Sequence, residues 1–162
     1  IFYQRSWIYP LNAKLCKNRQ VYIKTENELH KAVISWIRRF HQELIVIPGL
    51  GELQTTDEAR MEAWGKGYTK GTPDLLILNN HPDYRGLCIE LKSPMGTGRL
   101  TEAQNKFLKR FRENDFMVLV SNDYDEIVHT IGKYCEDMDA VNNYDSDDEN
   151  DNDTDMDSVP EK

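Results

Sequence analysis

The chain has 162 residues, 39% of them hydrophobic and 30% charged, which is enough for one compact domain and too few for two ordinary ones. Its formal charge of −8 is unevenly spread: from Glu136 onward there are 12 acidic residues and 1 basic one, leaving 16 acidic and 19 basic in residues 1 to 135. No run is apolar enough for a bilayer or a signal peptide, and Cys16, Cys88, Cys135 and the four histidines are scattered, which argues against a membrane protein, a disulfide framework or a structural zinc site and for a reducing intracellular compartment rather than secretion.

Residues 1 to 24 form an arm with five bases and no acids, interleaved with Phe2, Tyr3, Trp7, Tyr9 and Tyr22. Such a mixture suits phosphate contact with base stacking, and equally a packed strand. The opening Ile1 in place of Met is expected of a trimmed start.

A helix is predicted from Thr25, where Thr25 and Glu28 make a capping box and Leu29, Val33, Trp36, Ile37 and Phe40 mark an apolar stripe. Glu28 thus has a structural task. Glu26 falls on the backward extension of the stripe and points toward the core without one.

ELIVIP, 43 to 48, reads as a short buried-type strand stopped by Pro48-Gly49. Residues 49 to 73 are glycine-rich and polar, and a long loop is expected, of the kind that often carries function. DLLIL (74 to 78) and LCIELK (87 to 92) read as two further strands around a turn at 79 to 86. Thr101 and Gln104 open a second capped helix that buries Ala103, Phe107, Leu108 and Phe111 and exposes Lys106, Lys109, Arg110 and Arg112. FMVLVS, 116 to 121, is a fourth strand, and a last helix over 124 to 135 buries Ile127, Val128, Ile131 and Tyr134. The expected fold is α/β, a four-stranded mixed sheet flanked by helices in the order helix, three strands, helix, strand, helix. From 138 onward the acidic run has little to bury and is expected to be disordered. The preferred reading is a solubilising tail; the sharper alternative is an intramolecular mimic of DNA competing for the basic face.

The chemistry lies in the middle strands. Alternation puts Cys88, Glu90 and Lys92 on one face of LCIELK, with Glu90 and Lys92 about 7 Å apart along the strand. A hairpin around 79 to 86 sets Asp74 opposite Glu90 or Leu91; in the first register the β-carbons lie about 5 Å apart. Carboxylates so placed repel unless a cation sits between them, and hard oxygen donors suit Mg²⁺ or Mn²⁺. Glu26 can add a third carboxylate, and Lys92 can stabilise an attacking hydroxide or the developing phosphorane charge. Taken singly the motifs are ordinary, since Glu-x-Lys on a strand is usually a solvated ion pair and aspartate after proline a turn residue. It is their convergence from separate elements that carries weight.

Pro73-Asp74 followed by Glu90-Leu91-Lys92 resembles the PD-(D/E)xK nuclease superfamily. The finer text resembles its virus-type replication-repair nuclease (VRR-NUC) branch: Glu26-Asn27-Glu28-Leu29-His30, the segment from Gly67 through Pro73-Asp74 to Ile77, Gly86-Leu87-Cys88-Ile89-Glu90-Leu91-Lys92-Ser93-Pro94, and Gly98-Arg99-Leu100-Thr101-Glu102-Ala103-Gln104. The likeness covers 25 to about 135, within a nuclease domain bounded at 25 and 137, and implies a restriction-endonuclease-like core. It implies Asp74 and Glu90 as metal ligands with the Leu91 carbonyl facing the ion, Glu26 as the first-helix acid with Glu28 two residues away, Lys92 as the catalytic lysine and Gln104 as the family glutamine near the site. The capping box explains Gln104 without catalysis, and His30 stands where the family often has glutamine. The resemblance further implies an endonuclease that uses Mg²⁺ or Mn²⁺ to hydrolyse DNA phosphodiesters in replication, repair or recombination. Its relatives act on flaps or four-way junctions and often pair as homodimers. The alternative from another class is a nucleic-acid-binding module that keeps the fold without turnover; the intact Asp74, Glu90 and Lys92 argue against it. Lys66 and Lys70 of the long loop, Arg99, and Lys106, Lys109 and Arg110 of the second helix are the expected DNA contacts.

Overall fold

The computed structural model describes the backbone of residues 23–49, 56–96 and 98–144, and their side chains up to residue 140. The expected arm up to residue 22 and the tail beyond 144 lie outside the described residues. In chain order the elements are α1 (Glu26–Phe40), β1 (Val46–Pro48), α2 (Asp57–Gly65), β2 (Leu75–Ile77), β3 (Leu87–Leu91), α3 (Glu102–Arg112), β4 (Met117–Ser121) and α4 (Tyr124–Tyr144). The sheet runs β1-β2-β3-β4. Its first two pairings are antiparallel and the third is parallel, so the sheet is mixed as expected.

Period-2 alternation sorts the two faces of the sheet. Leu75, Ile77, Leu87, Ile89 and Leu91 join one core with Leu29, Val33 and Ile37 of α1 and Ile127, Ile131 and Tyr134 of α4, all at most 3% exposed. Both helices present apolar residues at three- and four-residue intervals, and burying that stripe rather than helix propensity holds them. The opposite face carries Cys88 and Glu90, and α3 reaches it through Gln104.

The structure revises three expectations. The 49–73 stretch is not loop throughout: α2 lies within it, capped by Thr56, whose side chain accepts the Ala59 N–H at 3.2 Å. The helix ends in paired bonds from Gly67 N–H to the Trp64 carbonyl and from Tyr68 N–H to the Ala63 carbonyl, both at 2.9 Å, with Gly67 at φ +97, the left-handed turn that glycine makes at low cost. Because α2 buries no residue, it leaves no apolar period to read. Second, ELIVIP is no buried strand. Only Val46–Pro48 is extended, it lies at the edge of the sheet among the described residues, and Ile45 and Ile47 are 59% and 47% exposed. Third, α4 does not end near 135 but runs to Tyr144, through residues expected to be disordered. Met138 packs on the core, and Asp137 Oδ2 stands 3.6 Å from His81 Nε2, so the stripe of Ile127 and Ile131 gains a further turn. On α3, Leu108 is the buried residue, while Ala103, Phe107 and Phe111 are half-buried; Val128 of α4 is likewise half-buried.

Among the described residues, no helix is long and apolar enough to cross a membrane.

Candidate active site

The β2–β3 register pairs Leu75 with Ile89 and Leu76 with Cys88; one step further, positions 74 and 90 come opposite each other. Asp74 sits just before β2, and two glycines fix its approach. Gly49 N–H donates to the Asp74 carbonyl at 2.8 Å, and a β-carbon on Gly49 would stand 2.2 Å from the Pro73 oxygen. Gly71, at φ +93, lies so close to α3 that a β-carbon would meet the Ala103 carbonyl carbon at 2.5 Å. The segment that leads through Asp74 into β2 is thereby seated between the end of β1 and the N-terminal part of α3.

The Asp74 carboxylate accepts the Leu91 backbone N–H at 2.7 Å. A strand residue presents its N–H and C=O to the same neighbour, so the Leu91 carbonyl opens toward Asp74 as well. Glu90 is 1% exposed. Its Oε1 accepts the Lys92 ammonium at 2.5 Å and also the Gln104 side-chain amide. Its Oε2 is buried with no hydrogen-bond partner among the described residues. Burial, chiefly, with the charges of Asp74 and Glu26 adding to it, pushes Glu90 up to about 7 against the opposing pull of Lys92.

Gln104 serves two purposes at once. Its Oε1 accepts the Thr101 N–H at 2.9 Å and completes the α3 capping box, while its amide nitrogen donates to Glu90. The cap fixes the rotamer that reaches the carboxylate. On α1, Glu28 takes the N–H groups of Lys24 and Thr25 at 2.8 and 3.1 Å, so it is committed to capping, and Glu26 is the first-turn carboxylate whose charge acts on Glu90.

The site residues suggested by the sequence separate into two groups. Asp74 with Leu91, and Glu90 with Lys92 and Gln104, form two hydrogen-bonded sets joined by the Glu90–Leu91 peptide, and Glu26 acts on Glu90 electrostatically. Lys106 and Lys109 are exposed on α3, beside Glu102 and Glu113, and Lys66 pairs with Glu62 at the end of α2. Arg110 lies over the Phe107 ring, and Lys70 and Arg99 are exposed. Two neighbours of the cluster carried no role in the sequence. The Tyr68 phenol is raised by burial and then by the charges of Asp74 and Glu90. The Cys88 thiol is pushed up to about 12 by burial and then by Glu90. Strand alternation already put Cys88 beside Glu90, whereas the proximity of Tyr68 follows from the end of α2, which left little trace in the pattern of residues.

A buried carboxylate oxygen without a donor is costly unless a cation completes it, and the surrounding donors are hard oxygens. These residues fit a small hard dication such as Mg²⁺ or Mn²⁺.

A family model described as the VRR-NUC domain matches residues 24–122. A solved structure described as "VRR_NUC domain protein" is similar in fold, with a TM-score of 0.56 and 24% identity over 70% of this chain and 89% of that one. No curated protein matches the chain.

Proposed function

The chain belongs to the VRR-NUC domain family, a family of nuclease type, and from that premise we propose that it is a metal-dependent DNA endonuclease selective for branched structures such as flaps or four-way junctions. The observation that carries this reading is the buried Oε2 of Glu90, unpartnered among the described residues, in a carboxylate already repelled by Asp74 and Glu26.

Asp74, Glu90 and the Leu91 carbonyl would hold Mg²⁺ or Mn²⁺, with Glu26 nearby. When bound, the ion supplies a Lewis acid for a phosphoryl oxygen and an acidified water. The remaining work falls to the chain. Lys92, whose side chain is 12% exposed and anchored on Glu90, keeps a positive charge where negative charge develops on the phosphoryl oxygens. Gln104 holds the Glu90 carboxylate in one orientation, and the Asp74–Leu91 bond holds the two strands in register. In-line hydrolysis forms a bond from the water oxygen to phosphorus, breaks the bond from phosphorus to the 3′ oxygen and leaves a 3′ hydroxyl and a 5′ phosphate.

The test is a panel of labelled DNA (duplex, single strand, flap, four-way junction) incubated with Mg²⁺, Mn²⁺ or chelator. Cleavage that requires the ion and favours a branched substrate is expected. Binding without cleavage on every substrate would overturn the proposal in favour of a non-catalytic binding module.

A further inference from the structure

Two donor residues in the turn after α1, His41 and Glu43, meet a third, Cys135, that is remote in sequence and lies on α4. One ligand atom each from His41, Glu43 and Cys135 lies within 4.8 Å of the others. His41 caps the C-terminus of α1, with its backbone N–H bonded to the Ile37 carbonyl at 2.7 Å. Its ring packs at a tilt against Trp36, with centroids 4.8 Å apart and the planes 43° from parallel, and its Nδ1 lies 3.2 Å from Glu43 Oε1.

Asn79 holds this arrangement from both sides. Its side chain accepts the Ile45 N–H at 2.6 Å and donates to the Glu43 carbonyl at 3.2 Å, while its own carbonyl accepts the Tyr134 hydroxyl at 2.6 Å. Tyr134 precedes Cys135, so a single residue fixes both the turn that carries Glu43 and the helix that carries the thiol. Such support is what a metal site needs if its ligands are to be held in place. The opening faces water through Glu43, whose side chain is 61% exposed, whereas Cys135 is 6% exposed. The His41–Glu43 hydrogen bond accounts for those two residues and does not involve Cys135, whose donor atom stands beside both.

We propose that His41, Glu43 and Cys135 form a second metal site, separate from the nuclease centre, that takes Zn²⁺ and ties the end of α1 to α4. A thiolate, an imidazole and a carboxylate make a mixed borderline-soft set, which favours zinc over magnesium or manganese, and three protein donors leave a fourth position for water. Zinc bonds of about 2.0–2.3 Å set tetrahedral donors roughly 3.5 Å apart. All three donors, now within 4.8 Å of one another, must draw together toward that spacing, and the exposed Glu43 side chain can take its share by turning about its own bonds.

The test uses the full, reduced, chelator-treated chain titrated with Co²⁺ and then with Zn²⁺ against a chromophoric chelator. Co²⁺ should produce a thiolate-to-metal charge-transfer band that Zn²⁺ bleaches. C135S should abolish the band, while C88S and C16S keep it, and D74N should leave it unchanged. Absence of the band in the folded wild type, its survival in C135S or its loss in C88S would each overturn the proposal. If C135S fails to fold, H41A serves in its place. It should weaken Zn²⁺ binding by roughly a hundredfold, given that even outer partners of a metal site contribute 10- to 100-fold; unchanged affinity would count against the site.

Discussion

Asp74 and Leu91 are joined by a hydrogen bond of 2.7 Å from a backbone N–H to a carboxylate oxygen. The bond continues the β2–β3 ladder one step beyond the last paired residues, with a side chain in place of a carbonyl. It places the negative charge of Asp74 beside the peptide that follows Glu90, so two carboxylates that would otherwise separate are held together by the sheet itself.

Replacing Asp74 by asparagine separates charge from structure. The amide retains an oxygen for the Leu91 N–H but is no longer an anion. D74N should therefore fold with a Tm close to wild type and cleave DNA roughly a thousandfold more slowly, the loss of several kcal/mol of transition-state stabilisation. Thermal melts and single-turnover cleavage with Mn²⁺ check both halves; activity within tenfold of wild type would remove Asp74 from the centre.

Glu90 makes the stability of the metal-free protein depend on pH. Its carboxyl is pushed up to about 7 from an ordinary 4.5, so the folded state holds this proton more tightly than the unfolded chain does. The stabilisation from that proton is complete below the ordinary value and is lost as pH rises through the folded one, by on the order of 3 kcal/mol at most. In chelator, Tm should fall between pH 4.5 and 7. The increment that Mn²⁺ adds to Tm should grow over the same window, because the ion needs the ionised carboxylate. E90Q should remove both trends. A flat profile in wild type would mean that Glu90 stays ionised throughout.

Gly71→Ala tests the seating of the Asp74 segment. A β-carbon there would stand 2.5 Å from the Ala103 carbonyl carbon, at a φ of +93 that side chains avoid. The strained backbone alone costs about 1–3 kcal/mol, and relief by moving the loop away from α3 would carry Asp74 away from Gln104 and Glu90. Lower stability in urea melts together with reduced cleavage is expected. A fully active G71A would show that the loop tolerates displacement.

Lys109 and Arg110 are expected to contact phosphates. The Lys109–Glu113 approach of 3.6 Å is between exposed groups and is weak enough to yield to DNA. K109A/R110A should lower DNA affinity and reduce the slope of log affinity against log salt by about 0.9 for each phosphate that is no longer neutralised, with little change in the rate at saturating DNA. An unchanged salt slope, measured by fluorescence anisotropy, would place the DNA elsewhere.

The local devices were legible in the sequence because each depends on residues within a turn or two of one another. Thr25 with Glu28 and Thr101 with Gln104 appear as the capping boxes that their spacing predicts. The stripe of Leu29, Val33 and Ile37 is buried, and the alternation of LCIELK puts Cys88 and Glu90 on the same face. Where burial gave no period, the reading failed: α2 buries nothing, and the extension of α4 depends on Met138 meeting a core built from other elements.

What tertiary structure alone decided are the distances between residues remote in sequence. The hairpin allowed Asp74 to face either Glu90 or Leu91, and the folded sheet gives it the register of one and the N–H of the other. The second bond of the Gln104 amide, the approach of Tyr68, and the meeting of His41 and Glu43 with Cys135 carry no local signature. Side-chain donors are brought together by the packing of whole helices and strands on a common core, and that packing is a property of the assembled chain rather than of any short stretch of it.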